Sequence, residues 1–207
     1  MMRIAVGEDD RGWPGRCTRP PAVTRAALPL LLWLWCAVAG ATGAGDLDIA
    51  VDYRDGRYSA SVRMLVPVRP ATALAVLTDF DHMAEFVPNL TASRITARSG
   101  NVLRVVQEGK ADFGPFSWRF SSERRVEIFP DGRVLARGLS GSIKSMQSEL
   151  RLHPAEANAT LIEYRIVSAP DFWVPASVGT GFLEHEMEEQ FTAITLEMRR
   201  REAKGGR

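Results

Sequence analysis

Few side chains in this 207-residue chain carry types and spacings suited to chemistry. Both cysteines, Cys17 and Cys36, lie near the N-terminus, so the rest of the chain has no thiolate nucleophile, disulfide scaffold or cysteine-based zinc site. His185 sits in Glu184-His185-Glu186-Met187-Glu188-Glu189, which lacks the second histidine of a metalloprotease helix. Adjacent residues on a helix point in different directions, so the run reads as a solvated acidic face with no metal site. His153 precedes Pro154 in an expected turn, and His82 lies in the stretch Val76–Pro88. Gly138-Leu139-Ser140-Gly141 is too short for a nucleophile elbow, and no phosphate-binding glycine loop occurs, so no cofactor is expected. Asn89-Leu90-Thr91 and Asn158-Ala159-Thr160 match a glycosylation pattern that matters only in a eukaryotic secretory pathway. Glu108, Arg119, Arg137, Glu149, Tyr164 and Arg165 fall within expected strands, and any of them facing the interior would be a polar group in an apolar setting. One bulge reverses such parity, so the sequence leaves their roles open.

The whole chain sets the frame for these residues. Lys and Arg total 26 against 25 Asp and Glu, which excludes binding to nucleic acid through an excess of positive charge. At 45% hydrophobic and 25% charged residues, the composition is that of a globular domain. The run Ala26–Ala39 is uncharged and, as a helix, about 21 Å long, short of the roughly 30 Å hydrocarbon core. Arg19 and Arg25 precede it and the small residues Gly40–Ala44 follow, the layout of a secretory signal peptide. Cleavage is expected after Ala44. Trp35 before Cys36 argues against lipoprotein processing. Met1–Pro21 is a long prelude for such a signal, and a start at Val23 gives a more compact one. The expectation is an N-terminal extension and signal peptide over 1–44 and one domain over 45–207, exported to a bacterial periplasm or secreted. Retention of the apolar run as an uncleaved membrane anchor is the alternative.

Positioning falls to strands and helices. Leu47, Ile49, Val51 and Tyr53 alternate with polar residues, as do Tyr58, Ala60, Val62, Met64 and Val66, and Asp55-Gly56 between them predicts a tight hairpin. Pro70 opens a helix whose Leu74, Leu77 and Phe80 share a face, and a second short helix is expected around Met83–Phe86. Strands follow near 91–98, 102–112, 116–129, 133–139, 142–152 and 159–168, closely connected and therefore antiparallel. A long helix over Ala176–Arg201 carries the stripe Leu183, Met187, Phe191, Ile194, Met198. Gly179 and Gly181 near its start leave two readings: a flexible gate, or a helix that begins only at Thr180.

The stretch Val76-Leu77-Thr78-Asp79-Phe80-Asp81-His82-Met83-Ala84-Glu85-Phe86-Val87-Pro88, placed after the first hairpin, resembles the START-like (SRPBCC) superfamily, in particular its polyketide cyclase/dehydrase and coenzyme-Q-binding branch. Pro170-Asp171-Phe172-Trp173-Val174-Pro175 is similar to that family's entry to its closing helix, and the likeness spans about residues 46–202. It implies an α+β helix-grip fold, a curved antiparallel sheet around a long C-terminal helix with two short helices after the first hairpin and an apolar cavity between the layers. Phe86, Trp118, Phe120, Met146, Tyr164, Trp173, Phe182 and Met187 are the candidate ligand-binding residues, although the same spacings also fit ordinary core packing. The expected function is an exported protein holding a lipid, quinone or polyketide-like molecule, with transient membrane contact. Desolvation at about 25 cal/mol per Å² would drive the binding. The alternative is a cyclase/dehydratase-type enzyme using Tyr164, Glu108 or Arg119 as acid–base groups. A role in protein interaction is a third reading, and export weighs against any intracellular target.

Overall fold

The computed structural model describes residues 47–113, 116–170 and 175–205, so the apolar run Ala26–Ala39 and Trp173 lie outside the described residues. The described chain belongs to the unit Ala41–Arg207. Strands β1 (Leu47–Arg54) and β2 (Arg57–Val66) form the expected hairpin. Asp55 and Gly56 turn it with φ of 52° and 75°, the left-handed pair that matches strand twist. Helix α1 (Pro70–Leu77) follows, then a single 3-10 turn at Met83–Glu85. Only that one turn stands where a second short helix was expected, because the chain must enter a strand immediately after Pro88.

Strands β3 (Leu90–Ser99), β4 (Val102–Phe113), β5 (Phe116–Ile128), β6 (Val134–Gly141), β7 (Ile143–Ala155) and β8 (Ala159–Pro170) form an antiparallel meander. β8 then pairs with β2, giving one curved eight-stranded sheet in the order β1-β2-β8-β7-β6-β5-β4-β3. β7 runs through Pro154, where a break was expected. β6 pairs with β7 only as far as Leu150, so the missing N–H at Pro154 costs no bond to that neighbour.

Helix α2 (Ala176–Gly205) lies on the concave face, nearest β1, β2 and α1. Its stripe is buried as expected: Met187 at 6%, Phe191 at 5%, Ile194 at 7% and Met198 at 0% exposure, with Leu183 half-buried. On α1 the buried residues are Ala73 and Val76, continued by Phe80, while Leu74 and Leu77 remain half-buried. This short helix is packed against both α2 and the β7–β8 strands, so its buried direction falls between the two rather than along the Leu74–Leu77 row.

The helix begins at Ala176, and therefore does not start at Thr180. Gly179 is buried, and a Cβ there would lie 2.1 Å from the Tyr58 hydroxyl and 2.4 Å from its Cζ. Close approach to a ring on β2 thus accounts for this glycine. The other end of α2 is held by charge. Glu197 binds Arg200 (2.5 Å) and Arg201 (2.6 Å), Arg201 reaches Asp79 (2.8 Å), and Glu202 binds Arg69 (2.7 Å) and Thr72.

Candidate functional site

The inner face of the sheet is solid at one end and thinly furnished in the middle. Near α1, Met64, Ile162, Leu152, Leu150 and Val134 are all at most 8% exposed. Farther along, one row across the sheet reads Ala60, Ile166, Ser148, Ala136, Val126, and the next reads Tyr58, Ser168, Met146, with Gly138 beside Arg124. Half of these positions carry Gly, Ala or Ser. Ala136, Ser148, Ile166, Ser168 and Tyr164 remain half-buried although they face inward. The packing of α2 is concentrated on β1, β2 and α1, and it lies less against strands β5–β8.

Two polar side chains of the sheet, Arg124 and Tyr164, face inward, and a third buried polar group comes from α2. Arg124 projects inward from β5, on the same parity as Val126 (1% exposed) and opposite Val105 (0%). A bulge in β6 shifts the register between Glu123 and Arg124 and puts Gly138 beside Arg124. Gln107 accepts a hydrogen bond from Arg124, while its own amide donates to Ser93 Oγ (3.0 Å) and Met83 Sδ (3.2 Å), which fixes its oxygen toward the cation. Tyr164 stands on β8 with its ring 5.4 Å from that of Phe191 and with Ser148 as hydrogen-bond partner. Burial pushes its phenol up, and Ser148 and the nearby Arg124 charge oppose that shift.

The third group comes from the helix. Glu186 is 4% exposed, which corrects the reading of residues 184–189 as a uniformly solvated face. Only Glu184 and Glu188 are fully exposed. Glu186 lies one position before Met187 in the buried stripe and therefore turns toward the sheet. Asn89 donates to it (2.9 Å) and to Glu189 (3.1 Å), and burial raises the Glu186 carboxyl despite Asn89 and Gln190. Asn89, noted above only for its glycosylation pattern, is thus a structural tie between the β3 entry and α2.

The expected site residues divide between two places. Tyr164, Met146 (7% exposed) and Met187 lie on the inner side, Met187 within the core and Tyr164 packed against it. Phe120 stands opposite Gly109, where an added Cβ would come within 2.3 Å of its ring. Phe182 is half-buried near the start of α2. Phe86 is half-buried at the margin, with the Arg201 guanidinium 5.7 Å from its ring centre, so ion pairs occupy its surroundings. Trp118 pairs with Ala111, and its side chain lies outside the described residues, as does all of Trp173. Glu108 and Arg119 are exposed on the outer face, where Glu108 is 3.9 Å from Arg94, so neither can serve the cavity. Arg137, Glu149 and Arg165 likewise line an outer groove of about 670 Å³. His82 binds Asp79 (2.7 Å), and that carboxylate raises the imidazole above its ordinary range. His82 therefore belongs to the α2 clamp.

Arg124, Gln107 and Ser148 escaped the sequence reading. The signal was present: the alternation Phe116, Trp118, Phe120 continues through Ser122 to Arg124 and Val126, which places a cation on the apolar face.

A curved antiparallel sheet closed over a long C-terminal helix defines a helix-grip domain of the START-like superfamily. Residues 66–195 match the family model described as polyketide cyclase / dehydrase and lipid transport, and the chain belongs to that family. Among solved structures it is similar to an aromatase/cyclase from Streptomyces sp. R1128, at TM-score 0.61 and 14% identity over 70% of this chain and 95% of that one. A START superfamily protein from Mycobacterium smegmatis gives 0.60 and 14%, covering 69% and 97%. A STAR-related lipid transfer protein fragment from Xanthomonas axonopodis gives 0.55 and 13%, covering 74% and 98%. At these identities the likeness concerns the fold. No curated protein matches the chain by sequence.

Proposed function

We propose that this protein is an exported carrier that holds an apolar small molecule, a lipid, quinone or polyketide-like compound, between α2 and the concave face. The observation that carries this reading is the floor of small inward-facing residues, Ala60, Ala136, Gly138, Ser148 and Ser168, beneath a helix whose own stripe is long and apolar. Desolvation of the guest supplies the affinity, at about 25 cal/mol for each Å² of apolar surface removed from water. The lipid-transfer side of the family supports the same reading. Export rests on the run Ala26–Ala39 and its small-residue exit. Delivery in this reading proceeds through transient contact with a lipid surface.

The test is mass spectrometry of the protein purified under native conditions from its own host. A co-purified apolar molecule, released unchanged, is the expected result; an empty protein that takes up neither lipids nor Nile red overturns the reading. A second reading, a cyclase/dehydratase-type enzyme, is favoured by one observation, the Tyr164 hydroxyl beside the Arg124 cation inside the space. Turnover of a polyketide-like substrate that is lost in Tyr164→Phe with binding retained would select it.

A further inference from the structure

The outer face of the sheet, on the side away from α2, carries a row of like charges. Arg104 on β4, Arg125 on β5 and Arg137 on β6 stand in register, followed by Gln147 on β7 and Val167 on β8. All five side chains are exposed. Neighbouring strands lie about 4.8 Å apart, and like charges set directly opposite one another destabilise a sheet. The acids that offset this row come from the rows on either side of it: Glu123 holds Arg104 (2.8 Å) and Glu127 holds Arg125 (2.9 Å). Arg165 faces Glu149 in register, yet that carboxylate turns to Arg151 (2.8 Å).

The row lies in a depression. One groove, of about 670 Å³, is lined by Arg125, Arg137, Gln147, Arg165 and Val167 among others. A second, of about 260 Å³, takes in Arg104, Arg125 and Leu139. Arg125 lines both, so the two join into one trough that crosses the strands from β4 to β8. Apolar side chains stand toward its two ends, Leu139 at 45% and Val167 at 43% exposure. Leu139 is the extra residue of the β6 bulge between Gly138 and Ser140, and such a bulge re-aims a side chain.

We infer that this trough docks an extended acidic segment of a partner protein, its carboxylates on the arginine row and its apolar side chains on Leu139 and Val167. From β4 to β8 the row spans about 19 Å, the length of roughly six extended residues. A flat lipid surface cannot follow a trough, and a polyphosphate or acidic polysaccharide brings nothing apolar to its ends. A guanidinium has five donors, so Arg104 and Arg125 keep some for a second carboxylate while Glu123 and Glu127 hold them. The partner's charge relieves the repulsion along the row. This surface is separate from the grip and does not depend on what the grip holds.

The experiment follows the fluorescence anisotropy of a labelled peptide of about eight residues as the full chain is added. Glutamate alternates with alanine between two terminal leucines, and a second peptide carries glutamine in place of glutamate. The glutamate peptide is expected to bind about ten-fold more tightly, an advantage that disappears as salt rises from about 0.05 to 0.5 M. Arg137→Gln combined with Arg165→Gln is expected to weaken it about ten-fold with the Tm unchanged, since both side chains are exposed. Equal binding of the two peptides, no binding, or an affinity that survives the double substitution overturns the inference. Binding to phosphatidylglycerol vesicles in preference to the peptide overturns it in favour of a lipid surface. Should the double variant melt differently, Leu139→Ser decides: weaker binding of the glutamate peptide supports the site, and unchanged binding overturns it.

Discussion

Two glutamates on α2 have opposite environments and predict opposite responses to pH. Glu197 is 6% exposed, and Arg200, then Arg201, hold its carboxyl down at about 2. Its contribution is present above the unfolded value of 4.5 and is lost as pH falls from there toward 2. Glu197→Gln should cost about 2–3 kcal/mol at pH 7 and progressively less in acid, measured by urea denaturation at pH 7, 4 and 3. Glu186 is the reverse case. Burial raises its carboxyl, so the folded state bears a cost once the unfolded side chain ionises, and that cost grows as pH rises above 4.5. Glu186→Gln should therefore raise the Tm by a few degrees at pH 7, with the gain vanishing near pH 4. At this scale the sequence was a partial guide. Met187 was legible from periodicity, whereas Glu186 was hidden because a charged residue beside a hydrophobic stripe reads as solvated until a sheet covers both.

Elements were more legible than residues, since alternation and turn chemistry are local. The β1–β2 hairpin, the meander and α2 all follow from patterns within a dozen residues. Features set by contact between distant segments did not show: the single turn at Met83–Glu85, the buried direction of α1, and the reason for Gly179. That last contact is testable. Gly179→Ala gains about 1 kcal/mol of helix propensity but forces a methyl group into the Tyr58 ring, and overpacking of this kind costs about 1–3 kcal/mol. A net destabilisation is expected by thermal melting. In a Tyr58→Ala background the same substitution should be neutral or stabilising, because the obstructing ring is gone. If Gly179→Ala lowers stability equally in both backgrounds, the ring contact is not what the glycine serves.

At the scale of the whole molecule, the order of elements together with the Val76–Pro88 stretch sufficed to place the chain in its superfamily, but the guest was not legible. Which inner positions stay small depends on register across five strands, and register is not written in any one of them. The proposed export has its own check at this scale: N-terminal sequencing of protein recovered from the host envelope should begin at Gly45. A protein still starting at Met1 or Val23 would place the apolar run as a retained anchor instead.

The seam between β2 and β8 joins Tyr58 to Ser168 and Val66 to Thr160, so strands made roughly a hundred residues apart must meet before the sheet is complete. Until β8 emerges, the opening hairpin has no lateral neighbour on that flank. Assembly is consequently all-or-none: fragments ending before Ala159 should fail to fold, and refolding of the intact chain should fall in the slow range of about milliseconds to seconds that such distant pairings impose.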